Sequence, residues 1–541
     1  MKNQDPKSSS PPLIFTLISL LLLTIFVTIL LLIQPVAATE QTPTQTLDLS
    51  DQLPNCRIGV PSMGTAHFNK LAQLGVGWHL NFTVNGIDNG EIEYLPTVRL
   101  KQVKDGDTYL DQYTTTPLLN DAGLGARISA LPGATWIIGN EPDRGPSPGG
   151  GGAQDDMQPE MYARAYHDVY TYIKNRDPQA KVAIAGLVQI TPGRLQYLDK
   201  VWAEYNRLYR QQMPVDVWNM HLYILPEVNS SGVANGIASV AVGTNPALGM
   251  KESDGNSSLC GQLNNQVYCY ADHDNLNFFK QQIVAMRTWM KAHGQQHKPL
   301  LLSEFSLLYP YDDTNNDGAE DFLRDEFGNL FAPARVSSFL RQSFDYLDGG
   351  NVDYNLGYPQ DNYRLVQQSL WFSMYYNGAG RASNLFTDEA VTTLSPVGLA
   401  FLDEMTQRVN QGIKPNLKPG GAIDTSAFII APGTTATATL SVDVYNNGDT
   451  PAGEPFTITF YSDQALSNAI GSTVLPDIGG CARGPIRVGV DWPGLTAGVH
   501  RFWVKVDSGT AVIESNENDN VISGLVIVNP KQVFLPLVSK S

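Results

Sequence analysis

The sequence predicts an α/β protein in two folded parts: a (β/α)8 TIM barrel, then an all-β, immunoglobulin-like sandwich. Three observations predict it. Strand-like and helix-like stretches alternate from Cys56 to about residue 409, and eight strands can be counted. Such alternation calls for a parallel sheet with helical crossovers, and eight units fit a closed barrel better than an open doubly wound sheet, since no GxGxxG follows an early strand. The pattern then changes. Residues 410–424, "NQGIKPNLKPGGAID", form a Pro/Gly linker, and from Thr425 to Asn529 β-branched runs alternate with Asn-Gly and Pro-Gly turns.

The expected strands start near residues 56, 76, 94, 135, 181, 215, 299 and 368. "CRIGVPSM" is the first and "VGWHLNFT" the second, with a short helix around His67–Leu74 between them. "YLPTVRLKQ" is the third, and in region 103–131 behind it "PLLNDAGLGARISALPG" is a poor helix. "TWIIGNEPD" is the fourth. The helix after it carries Met161, Ala165, Tyr166, Val169 and Ile173 at helical spacing. "KVAIAGLVQ", "VDVWNMHLYIL", "KPLLLSEFSLL" and "QSLWFSMYY" complete the set. The loop 225–274 after the sixth strand is expected to wall a cleft.

Lys2 and Lys7 precede an apolar run from Leu13 to Ile33, and Val36-Ala37-Ala38 suits a cleavage site. Residues 1–38 therefore read as a signal peptide, or as a membrane anchor through 13–33, since that run is long enough to span a bilayer. Residues 39–55 read as a linker and 530–541 as a C-terminal tail. Export permits disulfides, and Cys260 and Cys269 close a short loop and are expected to pair. Cys56 and Cys481 stand far apart in sequence and read as free thiols. With 53 acidic against 36 basic side chains the chain carries −17, which argues against nucleic acid as a partner. No cofactor is expected, and the protein is expected to be a monomer.

Reacting groups of such a barrel sit at the C-terminal ends of strands. Glu141 ends the fourth and Glu304 the seventh. Two carboxylates across one cleft suit glycosidic bond cleavage, which needs one protonated and one ionised group. Burial at a strand end is expected to raise the pKa of Glu141. Arg99, ending the third strand, is placed to ion-pair with Glu304, and Trp78, ending the second, to stack on a sugar. A metal-dependent hydrolase would need His/Asp clusters, and the eight histidines contain no HxH pair.

"GNEPD" at strand four and "SEF" at strand seven resemble glycoside hydrolase clan A, the 4/7 superfamily of retaining enzymes. Over residues 56–409 the chain looks most like the glycosyl hydrolase catalytic-core group, which includes endo-β-1,3-glucanase-like enzymes. The resemblance implies that Glu141 is the acid/base and Glu304 the nucleophile. It implies that Asn140 bonds the sugar 2-hydroxyl, that His221 or Tyr223 holds the nucleophile, and that Trp371 is an aromatic floor. A polysaccharide or oligosaccharide, with β-glucan foremost, is the implied substrate; the alternative is a carbohydrate-binding or adhesion protein without catalysis.

Residues 313–324 begin like an EF-hand, with Asp313, Asn315, Asp317 and Gly318, but Arg324 occupies the position of the bidentate glutamate, and the loop reads as an acidic insertion. Residues 425–529 are similar to CARDB adhesion-type modules through "VDVYNNGDTPAGEPFTITFYSD" and "VKVDSGTAVIESNENDN"; the module reads as a spacer or stabilising unit, with carbohydrate or surface binding as the alternative.

Overall fold

The computed structural model describes residues 48–146, 154–235, 238–308, 324–378, 380–420, 427–482 and 484–529. The expected leader 1–38, most of the linker 39–55, the acidic loop up to residue 323 and the tail 530–541 lie outside these residues. Among the described residues no helix is long and apolar enough to cross a membrane.

The first part contains strands β1 (Asn55–Pro61), β2 (Val76–Leu80), β3 (Glu93–Tyr94), β4 (Thr97–Asp105), β5 (Thr108–Thr116), β6 (Thr135–Ile138), β7 (Lys181–Ile184), β8 (Trp218–Leu222), β9 (Lys251–Glu252), β10 (Val267–Tyr268), β11 (Leu300–Phe305) and β12 (Gln368–Trp371). β1, β2, β6, β8 and β12 are buried along their whole length, as parallel strands covered by helices must be. The covering helices are Pro159–Arg176, Pro192–Tyr209, Leu276–Ala292, Pro333–Asp345 and Pro396–Gln411. Four of the five start on proline, whose fixed φ and missing N–H cost nothing in a first helical turn.

These strands fall into two main sheets, in the orders β3-β2-β1-β12-β11-β8 and β5-β4-β6-β7. Every pairing in them is parallel except β4 with β5. The expected single ring of strands is therefore interrupted twice, each time for a visible reason. Between β3 and β4 stands Pro96, which has no N–H to give a ladder. Between β7 and β8 one parallel bridge joins Ala183 to Val217, and the carboxylate of Asp216 takes the N–H of Val182 at 3.0 Å. In region 103–131 the expected poor helix "PLLNDAGLGARISALPG" holds two short helical stretches, Asp121–Gly125 and Ala126–Ala130, and the residues ahead of it form the hairpin β4–β5, turning at Gly106 with φ 58°.

Strands of both sheets meet on one face in a shared apolar cluster that includes Trp78, Leu80, Leu95, Ile137, Ala183, Leu301, Leu370 and Phe372. On the other face lies a much larger core shared with the helices.

The second part is a β-sandwich-like unit. Its strands are β13 (Leu417–Gly420), β14 (Ala427–Phe428), β15 (Ala436–Asn446), β16 (Phe456–Tyr461), β17 (Ala469–Leu475), β18 (Ile486–Leu495), β19 (Gly498–Lys505) and β20 (Val521–Val528). They form sheets β13-β15-β18 and β14-β20-β19-β16-β17. Alternate residues Leu440, Val442, Val444, Ile458, Phe460, Phe502 and Val504 point inward and make the core. The linker boundary needs correcting: Leu417–Gly420 is a strand paired with β15, so the sandwich begins before residue 425.

The cysteine expectation is half corrected. Cys260 and Cys269 pair as expected, but Cys56 and Cys481 are also a disulfide. Sequence distance hid it, because the fold brings the start of β1 against the sandwich. Arg57 is buried at the same junction, gripping Asp361 through both terminal nitrogens (2.6 and 2.9 Å) and Asp449 through Nε (2.7 Å).

Candidate active site

Glu141 follows β6 and Glu304 lies near the end of β11, so both stand at C-terminal strand ends. Their carboxylates, together with a ring nitrogen of His221, lie within 4.8 Å of one another. His221 Nδ1 is 3.0 Å from Oε1 of Glu141 and 3.7 Å from Oε2 of Glu304. The Tyr223 hydroxyl donates to Oε1 of Glu304 at 2.6 Å. Four sequence-predicted residues thus converge.

The backbone is shaped for this. Glu141 adopts φ 45°, a left-handed conformation that costs a non-glycine residue on the order of 1–3 kcal/mol and is found at functional sites. Its N–H donates to the carbonyl of Gly186 at 3.0 Å. Gly186 must be glycine, because a Cβ there would stand 2.3 Å from Cδ2 of His221. Asn140 is fixed by its N–H, which donates to Asp155 at 2.8 Å, while its side-chain amide reaches Gln154 at 3.4 Å.

The charges differ from expectation. Burial pushes the Glu141 carboxyl up, but the hydrogen bond and charge of His221, with Arg144 and Arg194, outweigh it and hold Glu141 below the usual carboxylate range. This corrects the expected raised pKa: desolvation acts as foreseen, and the histidine overrides it. Glu304 is raised, by burial and by the negative charge of Glu141, against the opposing pull of His221 and Tyr223. His221 loses basicity through burial but gains more from Glu304 and Glu141, and ends above its ordinary value.

Three expected roles are not supported by position. Arg99 does not reach Glu304; its Nε donates to Asp155 at 2.6 Å, so it braces the Asn140 turn instead. Trp371 is fully buried, its Nε1 donating to the Ser383 carbonyl at 2.8 Å and its ring packed against Phe305. Trp78 is also fully buried, lying over Gly59, where a Cβ would come within 2.5 Å of the indole. Neither indole has a face open to a sugar.

Sequence reasoning passed over their neighbours. Phe372 follows Trp371 and its N–H donates to the carbonyl of Phe305, the residue after Glu304, at 3.0 Å. Its ring meets Phe82 at 6.2 Å and Tyr376 at 5.5 Å between centroids, and Tyr376 is 46% exposed. Successive strand residues point to opposite faces, so of Trp371 and Phe372 only one could look inward. Arg144 was also missed; its guanidinium lies 3.6 Å from Oε2 of Glu141. It stands three residues after Glu141, on the same turn.

The solved structures similar to the chain are distant. A GH128 (subgroup III) curdlan-specific exo-β-1,3-glucanase from Blastomyces gilchristii is 15% identical, with 64% of this chain and 97% of that one covered at a TM-score of 0.35. An endo-β-1,4-mannanase from Thermotoga petrophila is 10% identical, covering 90% and 100%, at 0.31. A CARDB domain from Pyrococcus furiosus, in complex with di-metal ions, is 20% identical over 21% of this chain and 94% of its own, at 0.18. No curated protein matches the sequence. One family model does, over residues 415–524, and that segment of the chain is a CARDB domain.

Proposed function

We propose that the protein is an exported, retaining glycoside hydrolase acting on a β-linked glycan, with β-glucan such as β-1,3-glucan the foremost substrate. The observation that carries this reading is the approach of Glu141 and Glu304, whose nearest ligand oxygens lie within 4.8 Å. Retaining enzymes hold their carboxyls about 5–5.5 Å apart, whereas inverting ones leave roughly 6.5–9.5 Å for a water. The two parallel sheets are, in this proposal, arcs of one (β/α)8 barrel. The shared apolar cluster and the Ala183–Val217 bridge support that. The two disulfides and the CARDB segment support an extracellular setting.

In the proposed reaction a carboxylate oxygen of Glu304 attacks the anomeric carbon as the glycosidic C–O bond breaks, and Glu141 gives its proton to the leaving oxygen. Glu141 then takes a proton from water, whose oxygen displaces Glu304 and releases the sugar with its configuration kept. The two shifts run against these roles, Glu141 being held low by His221 and Glu304 raised by burial and by Glu141. His221, with Nδ1 3.0 Å from Glu141 and 3.7 Å from Glu304, is placed to pass a proton between them. Phe82 and Tyr376, packed on the buried Phe372, offer the apolar surface for stacking that the buried tryptophans do not.

The test is hydrolysis of β-1,3-, β-1,4- and mixed-linked glucans, xylan and mannan, with Glu304→Ala as control. Cleavage of one class, with the anomeric configuration retained and the variant inactive, is the expected result. A wild type that binds but cleaves none of them would make this a carbohydrate-binding protein instead.

A further inference from the structure

Arg194 stands in the first turn of helix Pro192–Tyr209 and is completely buried. Both facts count against it energetically. A helix N-terminus repels a cation, and burial strips its water. Its donors are nonetheless matched. One terminal nitrogen donates to Oδ2 of Asp143, and Nε donates to Oε1 of Glu227 at 2.9 Å. The other terminal nitrogen donates to the carbonyls of Ala238 and Ser239 at 3.1 and 2.9 Å. Glu227 is tied in turn to Gln189, Thr191 and the Met250 N–H, at 3.0, 2.8 and 2.9 Å. Buried ion clusters of this kind seldom stabilise more than an apolar substitute would. Placement is the better explanation, and what is placed is Asp143.

Asp143 lies between Glu141 and Arg144, the two residues of this turn whose charges meet in the site. Its carbonyl takes the N–H of Val242 at 2.9 Å, so the cluster joins the Glu141 turn to the loop after β8. We propose that Arg194 is a positioning residue for Glu141: by clamping Asp143 it holds the left-handed turn that aims the Glu141 carboxyl at Glu304. This rests on the reading of Glu141 as a reacting group. Glu141 faces His221 of β8, Glu304 of β11, Arg144 and Asp143 of its own turn, and Arg194 on the helix, and the Arg194 charge helps to keep it ionised.

The experiment compares full-length wild type with Arg194→Lys, Arg194→Met and Asp143→Asn. Two readouts are taken per folded molecule: kcat and KM on the cleaved glycan, and the ionisation of Glu141 followed by carboxyl 13C NMR, assigned with Glu141→Gln. Arg194→Lys keeps the charge and loses the fork. It is expected to lower kcat on the order of 10²-fold, as a misaimed group does, with KM nearly unchanged. Arg194→Met is expected to move the Glu141 ionisation to higher pH as well. A folded Arg194→Lys with wild-type kcat, or a folded Arg194→Met with unmoved ionisation, overturns the proposal. If the Arg194 variants do not fold, Asp143→Asn decides: it leaves the Glu227 contact in place, and unchanged kcat and ionisation there also overturn it. Should the wild type prove inactive on every glycan, the glycosidase reading fails by itself, while the NMR titration still decides whether Arg194 governs Glu141.

Discussion

His221 donates a hydrogen bond from Nδ1 to Oε1 of Glu141 at 3.0 Å, and that contact shifts the two glutamates in opposite directions. Burial alone would raise both. The imidazole, itself raised above its ordinary value between two carboxylates, pulls Glu141 down and leaves Glu304 up.

Replacing His221 by alanine should therefore do two things. Loss of the proton carrier should cut kcat on the order of 10²–10⁴-fold, the usual contribution of general acid–base groups. Loss of its positive charge should shift the bell-shaped pH–rate profile to higher pH, since both carboxyls then hold their protons longer. A pH–rate series on the best substrate checks it; a profile with unmoved limbs would remove His221 from the proton path.

Tyr223→Phe removes one hydrogen bond and nothing else of the side chain. The hydroxyl donates to Glu304 at 2.6 Å, and hydrogen bonds to charged groups are worth roughly 1.5–3 kcal/mol. If that bond aims and steadies the attacking carboxylate, kcat should fall roughly 10–100-fold with KM little altered. Single-turnover kinetics would measure the effect on the glycosylation step. Equal rates for the two proteins would mean that Glu304 is held by other groups.

The glutamates should also differ in what they do to stability. Glu141 is depressed when folded, so it contributes stability above its unfolded pKa that is lost as pH falls through its folded pKa. Glu304 is raised, so its contribution is present below its unfolded pKa and is lost as pH rises through its folded pKa. Near neutral pH, Glu304→Gln should thus be more stable than wild type and Glu141→Gln less stable. On acidification the Glu304→Gln gain should vanish first, between its folded and unfolded pKa values. The Glu141→Gln deficit should persist until pH falls through a value below the usual carboxylate range. Urea unfolding at several pH values distinguishes the two signs, and like-signed effects would contradict the opposite shifts.

Much of this was legible in the sequence, and the misses share a cause. Glu141, Glu304, His221 and Tyr223 could be found because each stands at the end of an apolar run, and a strand end is a position that a sequence displays. Which way a residue faces is displayed less well. The resemblance pointed to Trp371 as the aromatic floor, yet it is Phe372, beside it, that joins the inward-facing cluster. The hairpin β4–β5 was signalled by Gly106-Asp107, a two-residue turn between the paired Asp105 and Thr108, and was overlooked beside the weak helix that follows it. Pairings across long chain distances, Cys56 with Cys481 and Arg57 with Asp361 and Asp449, follow from how two parts dock, and no local pattern records that. The charge of Glu141 depended on such a pairing too, with His221 lying 80 residues away.

The start of β1 is where the two parts are joined. Cys56 and Arg57 open β1, the end of the strand opposite to the glutamates, and both hold the sandwich. The N–H of Cys56 also donates to the carbonyl of Asp449 at 2.9 Å, and a terminal nitrogen of Arg57 to that of Asn447 at 2.8 Å. We propose that a module fastened this way clamps the strand ends. Cys56→Ser with Cys481→Ser should cost about 2–5 kcal/mol, as loss of a native disulfide commonly does. Arg57→Met should cost about 3–5 kcal/mol, because Asp361 is left buried without the cation that grips both of its oxygens. Neither change touches the site, so kcat of the folded molecules should stay at the wild-type value. Guanidinium unfolding, followed by near-ultraviolet circular dichroism and calorimetry, should show one cooperative transition in the wild type and a separate, earlier one for the sandwich in the cysteine variant. Two independent transitions already present in the wild type would show that the CARDB domain is carried by the first part without clamping it.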